Sequence, residues 1–175
     1  MSILSIFKLQ PHSIEDSLKL LERLNYIRDP LSTYPDLWCS AYVSIRYPFE
    51  EMMTVKRCHI SKKYNTLGGR QFFEFIVSLT EEESSQLGRF NSCVRDIVEF
   101  LSHWQYGHYQ VLSCIHLNTD NLHAHIIQNN IDFMTGKRFT PSRPEFYAIL
   151  DEVDAILKKH RFSGLIRRFN AMTLD

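Results

Sequence analysis

Three of the eight histidines lie in one short stretch, His116-Leu-Asn-Thr-Asp-Asn-Leu-His123-Ala-His125. On a β-strand His123 and His125 share a face, because side chains alternate with a period of two. The four residues Asn118-Thr119-Asp120-Asn121 all favour turns through side-chain to backbone hydrogen bonds, so the runs Tyr109 to His116 and Leu122 to Asn129 are predicted to form a hairpin. Closing it symmetrically about positions 119 and 120 pairs His116 with His123 and Cys114 with His125. Such pairs stand about 4.5 to 5.5 Å apart at Cβ, so three imidazoles converge on one patch, with Asn129 in phase two steps farther along. The other face (Leu122, Ala124, Ile126) already supplies apolar residues for a core. Three neutral imidazoles with open coordination positions suit Mn, Zn, Ni or Co better than an all-oxygen magnesium cage, and such a site is catalytic in type.

Around this stretch the chain reads as an ordinary globular protein: 175 residues, 44% apolar and 23% charged. Twenty Lys plus Arg balance twenty Asp plus Glu. A polyanion site must therefore be local, and the candidates are Lys56, Arg57, Lys62, Lys63 and Arg70, and the stretch Lys158 to Arg168. The four cysteines form no Cys-x-x-Cys pair and fit reduced thiols. With neither a leader-like start nor a membrane-length apolar run, the expectation is a cytoplasmic protein without membrane insertion.

Several elements are expected to position the patch. Ser13 with Glu15 and Asp16 caps a helix bearing Ile14, Leu18, Leu21, Leu24 and Ile27, ended by Asp29-Pro30, with Tyr26 in its last turn. A short helix is expected from Phe49 to Arg57, and a buried strand from Phe72 to Leu79. Thr80-x-x-Glu83 has the form of a capping box opening a long helix with Leu87, Val94, Ile97, Leu101 and Trp104 inward, and Ser142-x-x-Glu145 another, with Pro144 in its first turn. The expected fold is α+β, one domain over 1–175, with helices on one face of a central, mainly antiparallel sheet.

The stretch His116 to Asn129 resembles the third motif of the MobP-type conjugative relaxases, single-strand DNA nickases of the HUH endonuclease superfamily, whose pattern is His-x-Asp-x-x-x-x-His-x-His-x-x-x-Asn. Leu24-Asn25-Tyr26-Ile27 is similar to the family's first motif, which holds the nucleophilic tyrosine. Ile76-Val77-Ser78-Leu79 is similar to the second, where a serine contacts DNA, and Met134-Thr135-Gly136-Lys137 to the usual continuation. Asn118 stands where the family has Asp, with Asp120 as a substitute partner for His116, and the Lys-Thr common after the tyrosine is absent. The chain is short for a relaxase, which implies either the catalytic domain of a longer protein with a C-terminal extension or a minimal family member.

The resemblance implies a permuted ferredoxin-like (palm-like) domain that cleaves single-stranded DNA at a transfer origin. Tyr26 would be the nucleophile and leave a 5′-phosphotyrosyl intermediate. His116, His123 and His125 would hold a divalent metal, manganese or magnesium first, with zinc, nickel or cobalt as alternatives. Asn118 and Asp120 would support them, and Ser78 and Asn129 would meet DNA. An accessory origin-binding protein and a conjugative coupling protein are the further partners implied. Other readings are a rolling-circle initiator or transposase of the same superfamily, a DNA-binding accessory protein with a decayed site, and a zinc hydrolase. The tyrosine preceding the histidines disfavours the first, and the lack of a His-Glu-x-x-His helix the last. On a helical wheel Ile14, Leu18, Leu20, Leu21, Leu24 and Ile27 share one arc, and Tyr26 lies about 180° from its centre beside Lys19, Glu22 and Arg23. Tyr34, Tyr42 and Tyr47 are the reserve candidates.

Overall fold

A computed structural model describes residues 2–6, 15–60 and 66–167; Ser13, Ile14, Lys62, Lys63, Tyr64 and Arg168 lie outside them. In chain order the elements are β1 (Ser2–Ile6), α1 (Glu15–Ile27), β2 (Trp38–Ala41), α2 (Pro48–Cys58), β3 (Phe72–Ser78), α3 (Leu87–Ser102), β4 (Tyr109–His116), β5 (His123–Asp132), α4 (Arg143–Lys159) and β6 (Leu165–Arg167). The strands form one sheet in the order β2-β4-β5-β3-β1-β6, antiparallel throughout except for β1 beside β6. The fold is α+β, as expected from the pattern.

Helices cover both faces of the sheet, where one face was expected. On one face Val111, Ile115, Ala124 and Ile126 pack with Val94, Ile97 and Leu101 of α3 and Ile149, Val153 and Leu157 of α4. On the other, Leu112, Cys114 and Ile127 pack with Leu20, Leu24 and Ile27 of α1 and Met52 and Met53 of α2. The reason is visible in β4, whose eight residues are all buried. A strand that is apolar on both sides needs a partner layer on each.

The β4–β5 register pairs His116 with His123, Ile115 with Ala124 and Cys114 with His125. A register shift between Tyr109 and Val111 ends the regular ladder. The Ser142–Glu145 box closes as read, the Ser142 amide donating to Glu145 Oε2 at 2.7 Å. The helix expected to open at Thr80 begins instead at Leu87, after a turn. Side chains in that turn serve other elements: Ser84 Oγ accepts from the Leu122 amide and Glu83 Oε1 from the Ser163 amide.

In α1 the fully buried residues are Leu20, Leu24 and Ile27, while Leu18 is 61% exposed. The buried side is therefore turned by about 50° from the centre expected on the wheel. That rotation brings Tyr26 from the far side of the helix round toward His116 of β4 and His125 of β5. The loop after α1 is then tied to the hairpin, with the Leu117 amide donating to the Ser32 carbonyl at 2.8 Å.

Candidate metal centre and nucleophile

The three imidazoles meet where the hairpin register puts them, with ring centroids of 5.2 Å for His116 to His123, 4.6 Å for His116 to His125 and 5.2 Å for His123 to His125. Each ring has one nitrogen anchored on an oxygen. His116 donates through Nε2 to the Ile27 carbonyl at 2.9 Å. His123 donates through Nδ1 to the Asn121 carbonyl at 3.1 Å, and His125 through Nδ1 to Glu74 Oε1 at 2.9 Å. An anchored N–H fixes the tautomer and leaves a lone pair on the other nitrogen.

Those other nitrogens fit a metal ion. His116 Nδ1 and His125 Nε2 are buried without a hydrogen-bond partner among the described residues, and one ring nitrogen from each histidine lies within 4.8 Å of the others. A buried unpaired acceptor costs stability unless something fills its lone pair. Burial also lowers the pKa of His116 and of His123 below the ordinary imidazole value, which keeps both in the neutral form that ligation needs.

Tyr26 stands beside this centre. Its ring centroid is 5.5 Å from His116 and 5.4 Å from His125, edge-on to the latter, and the residue is 45% exposed. Among the described residues it is the tyrosine whose ring contacts histidines of the cluster, His116 and His125. Tyr42 instead packs on His103 and Phe133, and Tyr34 and Tyr47 are exposed.

The remaining sequence candidates separate. Ser78 pairs with His123 across β3 and β5 and is half-buried on the histidine face. Asn129 is in phase but lies beyond Ile127 and is fully buried. Its carboxamide accepts from Lys56 Nζ at 2.6 Å and donates to Gln110 Oε1 at 2.8 Å, so it serves the fold where a DNA contact was expected. Asn118 donates to Ser32 Oγ at 3.1 Å and Asp120 is exposed on the hairpin loop; the partner of His116 is the main-chain carbonyl of Ile27.

Lys56 drops out of the first basic stretch, and two lysines of the second are engaged in ion pairs. Lys56 is fully buried, its Nζ donating to Gln71 O, Asn129 Oδ1 and Asn130 Oδ1 at 2.6, 2.6 and 2.9 Å. It cannot belong to a DNA-facing surface. Lys158 and Lys159 of α4 pair with Asp154 and Asp96, on a helix packed against the face opposite the histidines.

Sequence reading missed Glu74 and Arg23. Glu74 is the one acid in Phe72-Phe-Glu-Phe-Ile-Val-Ser-Leu79, and a charged residue inside a strand read as buried is itself the signal, since a buried carboxylate requires partners. Besides His125, it is held by Arg23, whose Nε donates to Oε2 at 2.9 Å and Nη2 to Oε1 at 2.5 Å. Burial alone would raise the Glu74 pKa, but the hydrogen bonds from His125 and Arg23 outweigh it and hold the carboxyl below the usual range.

Comparison with known proteins gives three findings. A family model described as "Relaxase: MobA/VirD2-like, nuclease domain" matches residues 38–162, a span holding all three histidines and Glu74 but beginning after α1. No curated protein matches the chain. Among solved structures, the MobM relaxase domain (MOBV; Mob_Pre), a Mn-bound crystal structure at pH 5.5 with 22 nucleotides of plasmid pMV158 oriT DNA, is similar in fold. The TM-score is 0.59 at 12% sequence identity, covering 99% of this chain and 94% of that one.

Proposed function

The chain belongs to the MobA/VirD2-like relaxase nuclease family, and from that premise we propose that it nicks one DNA strand at the transfer origin of its own element with Tyr26 as nucleophile. The observation that carries the reading is the approach of the Tyr26 ring to both His116 and His125, the two histidines of the cluster with buried nitrogens unpaired among the described residues. Helix α1 sets that distance by burying Leu24 and Ile27 on either side of Tyr26 in sequence.

The Tyr26 hydroxyl attacks the scissile phosphorus, its proton is lost, and the departing 3′ oxygen is protonated to a free 3′-hydroxyl. The phosphodiester is exchanged for a 5′-phosphotyrosyl ester, so the strand can later be resealed. A divalent ion on His116, His123 and His125 would draw charge from a non-bridging phosphate oxygen as it develops. Manganese is the first candidate, because the MobM domain of like fold is Mn-bound and crystallised on oriT DNA. Zinc, nickel and cobalt are the alternatives that suit an all-imidazole set, and magnesium, which the family resemblance also implies, suits it less well. Ser78, opposite His123, is proposed to meet the strand beside the cut. An accessory origin-binding protein and a coupling protein are proposed partners. Among the described residues no helix is long and apolar enough to cross a membrane.

The test is incubation with Mn²⁺ and a single-stranded oligonucleotide carrying the host element's transfer origin. The expected products are a fragment ending in a 3′-hydroxyl and a second fragment joined to the protein through its 5′ phosphate. A free 5′ phosphate, or an intact strand with the metal bound, overturns the reading.

A further inference from the structure

Arg23 reaches both halves of the proposed site from one position on α1. Its guanidinium carbon lies 4.4 Å from the centroid of the Tyr26 ring, one helical turn on. The same group grips both oxygens of Glu74, and Glu74 Oε1 in turn receives the Nδ1–H of His125. Glu74 comes from β3 and His125 from β5, so side chains from three elements meet in this chain of contacts.

Resting on the tyrosine reading above, we propose that Arg23 is a positioning residue that couples the nucleophile to the metal centre, fixing His125 through Glu74 while its guanidinium face fixes the Tyr26 ring. Three features argue against an ordinary surface ion pair. The Glu74 side chain is 3% exposed and that of Arg23 33%, so the pair is largely removed from water. The contact is two-pronged, which a planar guanidinium can make and an ammonium cannot. The face of that plane lies over the Tyr26 ring, where the ring's quadrupole attracts the cation. A carboxylate that receives the second N–H of a ligating imidazole sets the ring's orientation and raises its basicity, and loss of such a partner typically costs 10- to 100-fold in metal affinity.

The experiment compares the parent with Arg23→Gln, Arg23→Lys, Glu74→Gln and the Arg23→Gln/Glu74→Gln double variant. Co²⁺ binding is followed by visible absorption, and the Tyr26 ring by NMR of ¹³C-tyrosine protein, its signal assigned with Tyr26→Phe. Arg23→Gln should bind Co²⁺ about tenfold more weakly, with an altered visible spectrum and a shifted Tyr26 resonance. Arg23→Lys should restore neither reading, because the two-pronged grip is gone. In the double variant Co²⁺ affinity should be no lower than in Glu74→Gln alone, since Arg23 acts on the metal through Glu74. Parent-like Co²⁺ binding and an unmoved Tyr26 resonance in both Arg23 variants overturn the proposal, as do Arg23 and Glu74 effects on affinity that simply add. These readings need no DNA cleavage, so a parent that binds Co²⁺ yet nicks nothing refutes the nuclease reading separately.

Discussion

The Nε2 of His116 donates to the carbonyl oxygen of Ile27, at 2.9 Å, one residue beyond Tyr26. The end of the helix that carries Tyr26 and one of the three clustered histidines are thus joined through the main chain. This explains how the site tolerates an amide at position 118, where the family pattern has a carboxylate: the orienting acceptor is backbone. Asn118→Asp and Asn118→Ala should therefore leave Mn²⁺ affinity and nicking rate within about twofold of the parent, against the 10- to 100-fold expected of a true partner of the ligand. Isothermal titration and single-turnover nicking check this. A tenfold change in both would mean that position 118 holds His116 during turnover.

The lone pairs of His116 Nδ1 and His125 Nε2 are buried and unpaired among the described residues, so metal should stabilise the fold as well as the reaction. At a hundredfold excess over its dissociation constant an ion that binds the folded state contributes about 2.7 kcal/mol, or roughly 5 to 10 °C in Tm for a chain of this size. His116→Ala and His125→Ala should abolish that rise, and chelator should reverse it and stop nicking. A parent whose Tm ignores Mn²⁺, Zn²⁺ and Co²⁺ alike contradicts the centre.

Lys56 supports the same face from farther off. Burial, and secondarily the charge of Arg138, hold its pKa well below the usual lysine value. Lys56→Met strands the Gln71 carbonyl and the Asn129 and Asn130 oxygens, with an expected loss of about 1 to 3 kcal/mol or more. The pH dependence has a definite sign. The unfolded chain holds the Lys56 proton more tightly than the folded one, so the parent gains stability as pH rises from the depressed folded value to about 10.4, and loses it as pH falls. The stability gap between parent and Lys56→Met should widen with pH across that window in urea titrations. Parallel curves would show that Lys56 titrates normally.

What was legible in the sequence is what local pattern encodes. The hairpin register follows from a period of two and four turn-forming residues, and both lie within a stretch of seventeen, from Tyr109 to His125. The Ser142 cap is equally local. By contrast Trp38-Cys39-Ser40-Ala41 shows no alternation and becomes a strand because β4, about seventy residues on, offers a free edge. β1 and β6 likewise depend on pairing with distant strands. Glu74 and His125 are 51 positions apart, and no spacing rule links them. The rotation of α1 is set by which leucines the sheet accepts, so Leu18, apolar and in phase with the expected arc, ends exposed.

Tyr26→Phe tests the nucleophile most directly. The ring's contacts with His116, His125 and Arg23 are made by its faces and edges, and phenylalanine keeps all of them. At 45% exposure the lost hydroxyl leaves no buried group unpaired, so stability should move by no more than about 0.5 kcal/mol. Mn²⁺ affinity should be unchanged, because the ligands and their anchors are untouched. Affinity for the uncut strand should stay within a few-fold. What should disappear is the covalent protein–DNA adduct and with it every nick, a loss no smaller than the assay's range, because the attacking oxygen is gone. Tyr34, Tyr42 and Tyr47 changed to Phe one at a time should each leave the adduct at parent yield. Peptide mass spectrometry of the trapped parent adduct should place the nucleotide on Tyr26; a nucleotide on any other tyrosine, or an adduct formed by Tyr26→Phe, assigns the chemistry elsewhere.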